Sequence, residues 1–402
     1  MAPVEFKNPY RPGAGHMPPH LAGRARETSE FDKLLEQDTI LENMVLTGLR
    51  GAGKTVLLER WKDRAVSAGW LWVGADLSES ASISEGNLAM RLLADLAVTT
   101  TAFTAVVPVP PGAGFAGTAP ATSQVALTYP VLQSIYESTP GLVSDKIKGV
   151  LEFVCAVLSA HGRKKIIFAY DEAQNLSDHS AKDQFPLSVL LDVFQSIQRK
   201  DMGFMLVLAG LPTLFPKLVE ARTYSERMFH VVMLGRLSEA ESRDAITTPI
   251  EAVACPVTFR EEAVRQIYEQ SGGYPYFIQF ICREVFDVFI QQFRESDHPP
   301  GVPTEAIQAK LDTDFFSGRW ARITDRQRQL LWVIAMLDKD DGEFTISEIV
   351  EISGTLLAKG FSSSHANQML VSLAEHGLIY KNRLGRYSFA VPLMGRFILR
   401  NY

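Results

Sequence analysis

Apolar residues along the first 236 positions fall into short continuous runs separated by longer periodic stretches. The runs at 43–48, 70–76, 165–171, 205–210 and 229–234 are short, rich in aliphatic and aromatic residues, and mostly bounded by glycine or polar positions, which predicts buried strands. Between them, 24–37, 54–68, 83–97, 147–160 and 187–199 place apolar residues at helical spacing, as with Val56, Leu57, Leu58, Trp61 and Ala65. Strands alternating with helices predict an α/β fold, a mostly parallel sheet with helices on both faces. Beyond 236 the strands stop. Helical patterns at 238–253, 260–270 and 275–293 predict a helical subdomain, and the polar, proline-containing stretch at 295–303 reads as a linker. Helices at 324–337, 346–352 and 363–376 precede a hairpin that turns at 382–386 with Gly385 for positive φ, the order of a winged helix-turn-helix.

These patterns divide the chain into an extended arm (1–20), an α/β core (21–236), a helical lid (237–295), a linker (296–318) and a winged helix-turn-helix (319–402). One stretch disturbs the core. No charged residue occurs between Asp95 and Glu137, where a chain with 21% charged residues should carry about eight. Pro108, Pro110, Pro111, Gly112, Gly114, Gly117 and Pro120 interrupt it, so it reads as a surface insertion at about 97–136, flexible or partner-contacting, and as no membrane span.

Composition adds limits. The chain has 402 residues, enough for two or three domains, and 46% hydrophobic content, which excludes disorder as the main state. A net charge of -6 excludes a uniformly basic surface, so any nucleic-acid contact must be local. Cys155, Cys255 and Cys282 are widely spaced, which excludes a thiolate zinc site and fits a reducing compartment. The N-terminus lacks the features of a signal peptide, and the expected location is cytoplasmic. His16 and His20 are four apart, but Pro18 and Pro19 prevent the helix that would align them as ligands.

The chemistry is concentrated in two segments. Gly48-Leu49-Arg50-Gly51-Ala52-Gly53-Lys54-Thr55 matches G-x-x-x-x-G-K-[ST] between a predicted strand and a predicted helix. Glycines let consecutive backbone N–H groups, through Val56, face one anion, and the helix N-terminus adds its partial positive charge. Lys54 then reaches the β- and γ-phosphates, and the Thr55 hydroxyl is a Mg²⁺ ligand. The second segment, Ile166 to Glu172, is an apolar strand ending in two carboxylates. Asp171 suits the Mg²⁺ shell, and Glu172 suits the general base that polarises an attacking water. The competing reading of Asp171 is a cap for the next helix.

On these segments the chain resembles AAA+ and related STAND-type P-loop ATPases of the origin-recognition and replication-initiator sort. It is also similar to transposition and secretion ATPases in Asp171-Glu172-Ala173-Gln174. Leu21-Ala-Gly-Arg24-Ala-Arg-Glu27 resembles a box that lies by the adenine in that family, which implies a cofactor-binding role for Arg24. Ser225-Glu226-Arg227 resembles a box whose arginine reaches a neighbouring subunit's nucleotide, which implies a catalytic role for Arg227 and self-association through the ATPase domain. Ser271-Gly-Gly-Tyr-Pro275 resembles the lid motif before a sensor helix. Pro275 stands where initiators often carry an arginine, with Arg283 two turns on, and Thr213 is the sensor candidate after the fourth strand. The implied cofactors are ATP and Mg²⁺.

Two functions are open from sequence. From Lys359 onward Lys359, Lys381, Arg383, Arg386, Arg396 and Arg400 face only Glu375 among acids. With Ser363, Ser364, His365, Asn367 and Gln368 on the predicted recognition helix, this suits double-stranded DNA through 363–386. The first reading is therefore an ATP-hydrolysing switch coupled to a DNA-binding winged helix. The alternative is a STAND-like signalling NTPase whose C-terminal domain binds protein, favoured by Gly-x-Pro at 273–275.

Overall fold

A computed structural model describes residues 7–13, 15–108, 122–163, 165–253, 258–295, 302–339 and 342–402. Parts of four sequence expectations lie outside those residues: the start of the arm, the middle of the uncharged stretch, Cys255 and the first linker positions. Among the described residues nine strands run in chain order: β1 (Asn43–Gly48), β2 (Leu71–Asp76), β3 (Thr104–Pro108), β4 (Thr122–Ala126), β5 (Lys165–Asp171), β6 (Gly203–Gly210), β7 (Phe229–Leu234), β8 (Ile379–Arg383) and β9 (Arg386–Phe389). The chain forms two compact units. One comprises 27–47 and 57–232; the other comprises 1–26, 48–56 and 233–402.

The first unit is built on a five-stranded sheet in the order β2-β5-β6-β1-β7. β2 pairs parallel with β5, β5 with β6, and β6 with β1, so Val73 lies beside Phe168, Ile167 beside Met205 and Leu46 beside Ala209. Every residue of β1, and all of β5 after Lys165, is buried, which explains the unbroken apolar runs. Helices Glu85–Thr100, Val143–Ala160 and Pro186–Gln198 supply buried leucines, valines and phenylalanines to the same core, with Phe168 edge-on to Phe194 at 5.1 Å. Trp61 stacks on Phe31 at 4.6 Å. Asn43, fully buried in β1, is satisfied: its Oδ1 accepts from Leu206 N at 2.7 Å and its Nδ2 donates to Gln198 Oε1 at 3.1 Å.

The uncharged stretch departs from the expected surface excursion. Its described parts form an antiparallel hairpin of β3 and β4 and a helix, Tyr129–Ser138. Ala105, Leu127 and Leu132 are buried in the sheet core, and Thr100 Oγ1 donates to Leu127 O at 3.0 Å. The hairpin ends are therefore core. The lack of charge there reflects burial, which disfavours ions.

The second unit carries helices Glu239–Glu251, Glu261–Ser271 and Pro275–Glu295, as the periodicity predicts. The linker expectation at 296–318 is corrected from Thr304 onward. Thr304–Leu311 is α-helical, Asp312–Ser317 is a π-helical turn and Gly318–Trp320 continues it, with Ile307, Leu311 and Phe316 buried. Helices Asp325–Ala335, Ile346–Leu356 and Ser363–Glu375 follow, then the β8–β9 hairpin, then an unforeseen helix, Met394–Asn401. Phe277 of the lid stacks on Phe316 at 6.2 Å, and Phe316 on Phe397 of the last helix at 4.9 Å. Lid and C-terminal helices thus share one hydrophobic core. Among the described residues no helix is long and apolar enough to cross a membrane.

Candidate functional site

In the second unit, Gly48 ends β1 and Lys54 opens the helix Lys54–Ser67. Gly51 and Gly53 have φ of 80° and 92°, a region costly for residues with a Cβ, so the loop needs glycine at both. A helix start leaves its first N–H groups without helical partners and aims them back over the loop. Lys54, 9% exposed, donates from Nζ to Gly48 O at 2.9 Å and Leu49 O at 3.1 Å. Ala52 is fully buried, while Thr55 and Val56 are half-buried in the first helical turn. The arm passes this turn: a Cβ on Gly15 would meet Thr55 Cγ2 at 3.2 Å.

Three residues from elsewhere in the same unit hold the loop by its backbone or by its arginine. Arg24, 7% exposed, donates to Ala52 O at 3.0 Å and Gly235 O at 2.9 Å. The side chain to which the resemblance assigns a cofactor-binding role is placed here as a brace of the loop. Tyr276 N, in the lid helix, donates to Gly51 O at 3.2 Å. Arg50 Nη1 donates to Gly377 O at 3.2 Å, in the turn between helix Ser363–Glu375 and β8. Nearby, burial lowers the pKa of the Arg319 guanidinium and the charge of Arg50 adds to the effect; its head lies 4.8 Å over the Phe315 ring. Neither the Arg50 contact nor Arg319 has a sequence motif to announce it.

The first unit holds the carboxylates. Parallel pairing puts the C-terminal ends of β1, β5 and β6 on one edge of the sheet. Asp171 closes β5, is 4% exposed and accepts from Glu172 N at 2.7 Å. Glu172 is exposed and has φ of 52°, an uncommon left-handed setting for a glutamate. The 3₁₀ turn Ala173–Asn175 follows, stapled to the end of β2 by Asn175 Nδ2 donating to Leu77 O at 2.9 Å. Gln174 donates from Nε2 to the Glu172 carboxylate and accepts Leu211 N at 3.1 Å through Oε1. Gln174 lies two residues after the paired carboxylates in sequence, and nothing in the sequence announces this second bond.

Arg227 lies in the short helix Ser225–Met228, is exposed, and forms no ion pair among the described residues. Thr213 precedes helix Leu214–Ala221 without a side-chain cap bond, and Arg283 is exposed on the lid helix, where its carbonyl accepts from Asn8 at 2.9 Å.

On the C-terminal domain, Ser363, Ser364, His365, Asn367 and Gln368 are all exposed. The basic set is smaller than the sequence suggests. Arg383 pairs with Glu343 at 2.8 Å and Arg400 with Asp312 at 2.8 Å, while Arg396 donates to Glu269 O. Lys359, Lys381 and Arg386 carry no ion pair among the described residues. Glu343 and Asp312 lie far upstream of the residues they neutralise, so the local charge count missed them.

Comparison with known proteins gives the fold. Residues 313–398 match a family described as a domain of unknown function (DUF8462). No curated protein matches the chain in sequence. Among solved structures, the Walker-type ATPase PABY2304 of Pyrococcus abyssi aligns at TM-score 0.54 and 15% identity, covering 94% of this chain and 96% of that one. The ORC2 protein of Aeropyrum pernix in its ADP form aligns at 0.53 and 13%, covering 97% and 95%. Cdc6p from Pyrobaculum aerophilum aligns at 0.50 and 13%, covering 97% and 96%. Along nearly its whole length, the chain shares the fold of Orc/Cdc6-like AAA+ proteins.

Proposed function

We propose that the protein is a Mg²⁺-dependent ATPase whose nucleotide state is read by its C-terminal domain. The observation that carries the coupling is the double bond of the phosphate loop to its own unit: Gly51 O to the lid through Tyr276 N, and Arg50 to Gly377 beside the hairpin. A phosphate that reorganises the loop backbone must alter both contacts.

The residues fit the group. Positive φ at Gly51 and Gly53 is the backbone setting that lets successive N–H groups turn toward one anion. A hydroxyl at Thr55 and a carboxylate at Asp171 are the hard oxygen donors that Mg²⁺ takes, with waters and phosphate oxygens completing its shell. Among the described residues no cluster of three or more His, Cys, Asp or Glu forms an all-protein metal site, in keeping with a metal carried in with phosphate.

Roles follow from chemistry. Bound MgATP supplies a γ-phosphoryl group activated for in-line attack by water. Gly48, Arg50, Gly51, Ala52, Gly53 and Val56 shape the cradle, Lys54 neutralises β,γ charge, and Arg24 keeps the cradle's carbonyls turned away. Glu172 takes the proton from the attacking water. Arg227, exposed and without an ion pair among the described residues, is the arginine offered to a second copy's nucleotide. Turnover per subunit then rises with protein concentration; flat turnover on dilution removes Arg227 from the site.

For the C-terminal domain the leading partner is duplex DNA through 363–386, supported by the exposed polar row on helix Ser363–Glu375 and by Lys381 and Arg386 on the hairpin. The ion pairs of Arg383 and Arg400 favour the second reading, a protein-binding domain. Duplex affinity measured with MgATP, with MgADP and without nucleotide, at roughly 50 and 200 mM salt, separates them. The DNA reading expects affinity that falls with salt and differs between nucleotides. Affinity blind to nucleotide overturns the coupling, and no binding at the lower salt moves the domain to a protein partner.

A further inference from the structure

The turn after β5 holds Gln174, the last residue of the Asp171-Glu172-Ala173-Gln174 run, to which the proposed chemistry gives no role. Gln174 uses both ends of its side-chain amide. Its N–H donates to the Glu172 carboxylate, and its oxygen accepts Leu211 N, one residue past the end of β6, at 3.1 Å. Only this orientation of the amide satisfies both partners, since a carboxylate accepts and a backbone N–H donates. The main chain of the same residue is gripped as well: Lys217 Nζ donates to Gln174 O at 2.7 Å. Gly210 is the cost of the arrangement, because a Cβ there would come within 2.6 Å of Gln174 Oε1. Glu172 itself sits at φ of 52°, so its backbone is held in a strained well by the turn around it.

We propose that Gln174 is the positioning residue for Glu172, fixing the carboxylate by donation and tying its orientation to the end of β6. The inference rests on the assignment of Glu172 as general base. A free glutamate side chain at an exposed turn samples several rotamers, and only some aim an oxygen at an attacking water. The amide removes that freedom without touching nucleotide. Any displacement of the segment after β6, at Leu211 to Leu214, is passed through Gln174 to the base. The structure shows the charged neighbours of this corner: Asp171 on the strand, Asp178 in the loop beyond, and Lys217 and Glu220 on helix Leu214–Ala221.

The substitution Gln174→Glu tests this, because it keeps the size and the acceptor for Leu211 N while replacing the donor with a second acceptor. Turnover should fall about tenfold or more at neutral pH with ATP affinity within about twofold of the native protein. The loss should lie in kcat with KM for ATP unchanged, because the carboxylate is misaimed while the phosphate loop is intact, and acid should not relieve it, since it would protonate Glu172 as well. Gln174→Leu should lose turnover in the same way. Native turnover in both variants, or a loss of ATP affinity that matches the loss of turnover, overturns the positioning role. Glu172→Gln, run alongside, keeps the failures apart. If it turns over normally, the general-base reading fails and this inference with it. If it is inactive while Gln174→Leu is fully active, only the inference fails. Tight ATP binding by each variant reports that it is folded.

Discussion

The phosphate loop and the acidic corner are held by opposite means. The loop is a backbone object. Its glycines allow the curl, and its grip comes from hydrogen-bond partners 28 to 327 residues distant along the chain: the donors Arg24 and Tyr276 and the carbonyl of Gly377, which accepts from Arg50. The corner is a side-chain object. Asp171, Glu172, Gln174 and Asn175 are stapled to the ends of neighbouring strands in the same sheet. The loop's geometry therefore depends on the state of lid and C-terminal domain, while the corner's depends on the sheet, whose strands are buried in the core. Binding and catalysis should accordingly be separable by mutation.

The most severe test removes the loop's charge. Lys54→Ala should weaken ATP binding on the order of a hundredfold or more, as expected for losing charge-assisted bonds to phosphate, read by calorimetric titration. Retained affinity would mean that the backbone alone holds the phosphates. Next, Glu172→Gln should lower turnover roughly 10²- to 10⁴-fold while leaving ATP affinity near native. If affinity falls equally, the two regions are not separable. Gly51→Ala puts a side chain at φ of 80° and within 3.0 Å of Tyr276 Cβ. It should cost about 1–3 kcal/mol of loop stability, seen as a weaker ATP affinity with little change in turnover at saturation. The mildest change, Arg50→Ala, should leave turnover within about threefold, removing a bond worth roughly 1.5–3 kcal/mol at most. Its mark should be faster amide exchange around Gly377 and β8; unchanged exchange there would break the link between loop and C-terminal domain.

Much of this was legible in the sequence for one physical reason: buried parallel strands must be apolar throughout. β1 and β5 therefore stand out as runs, and the phosphate loop and carboxylate pair follow directly from where those runs stop. What stayed hidden shares a cause too. The β3–β4 hairpin ends and Leu132 lie in a stretch whose prolines and glycines mask the period, so burial looked like looseness. The helix from Thr304 passes into a π turn, which has no sequence period to read. Arg24, Arg50 and Gln174 bond to backbone atoms, and a backbone partner leaves no residue-type signature at its own position. The Glu343 and Asp312 partners neutralise arginines from outside the window over which charge was counted.

The division of the chain sets an order of completion during synthesis. The first unit is complete at residue 232, with the last two residues of β7 just beyond it, whereas residues 48–56, which interrupt it in sequence, belong by contact to the second unit. At roughly 5–20 residues per second a ribosome spends several seconds or more between the last sheet strand and Gly377. During that interval the chain has made every residue of its acidic corner and also Arg24, which braces the loop at Ala52, but not Gly377. The last of the loop's three braces is thereby postponed until the C-terminal hairpin is made.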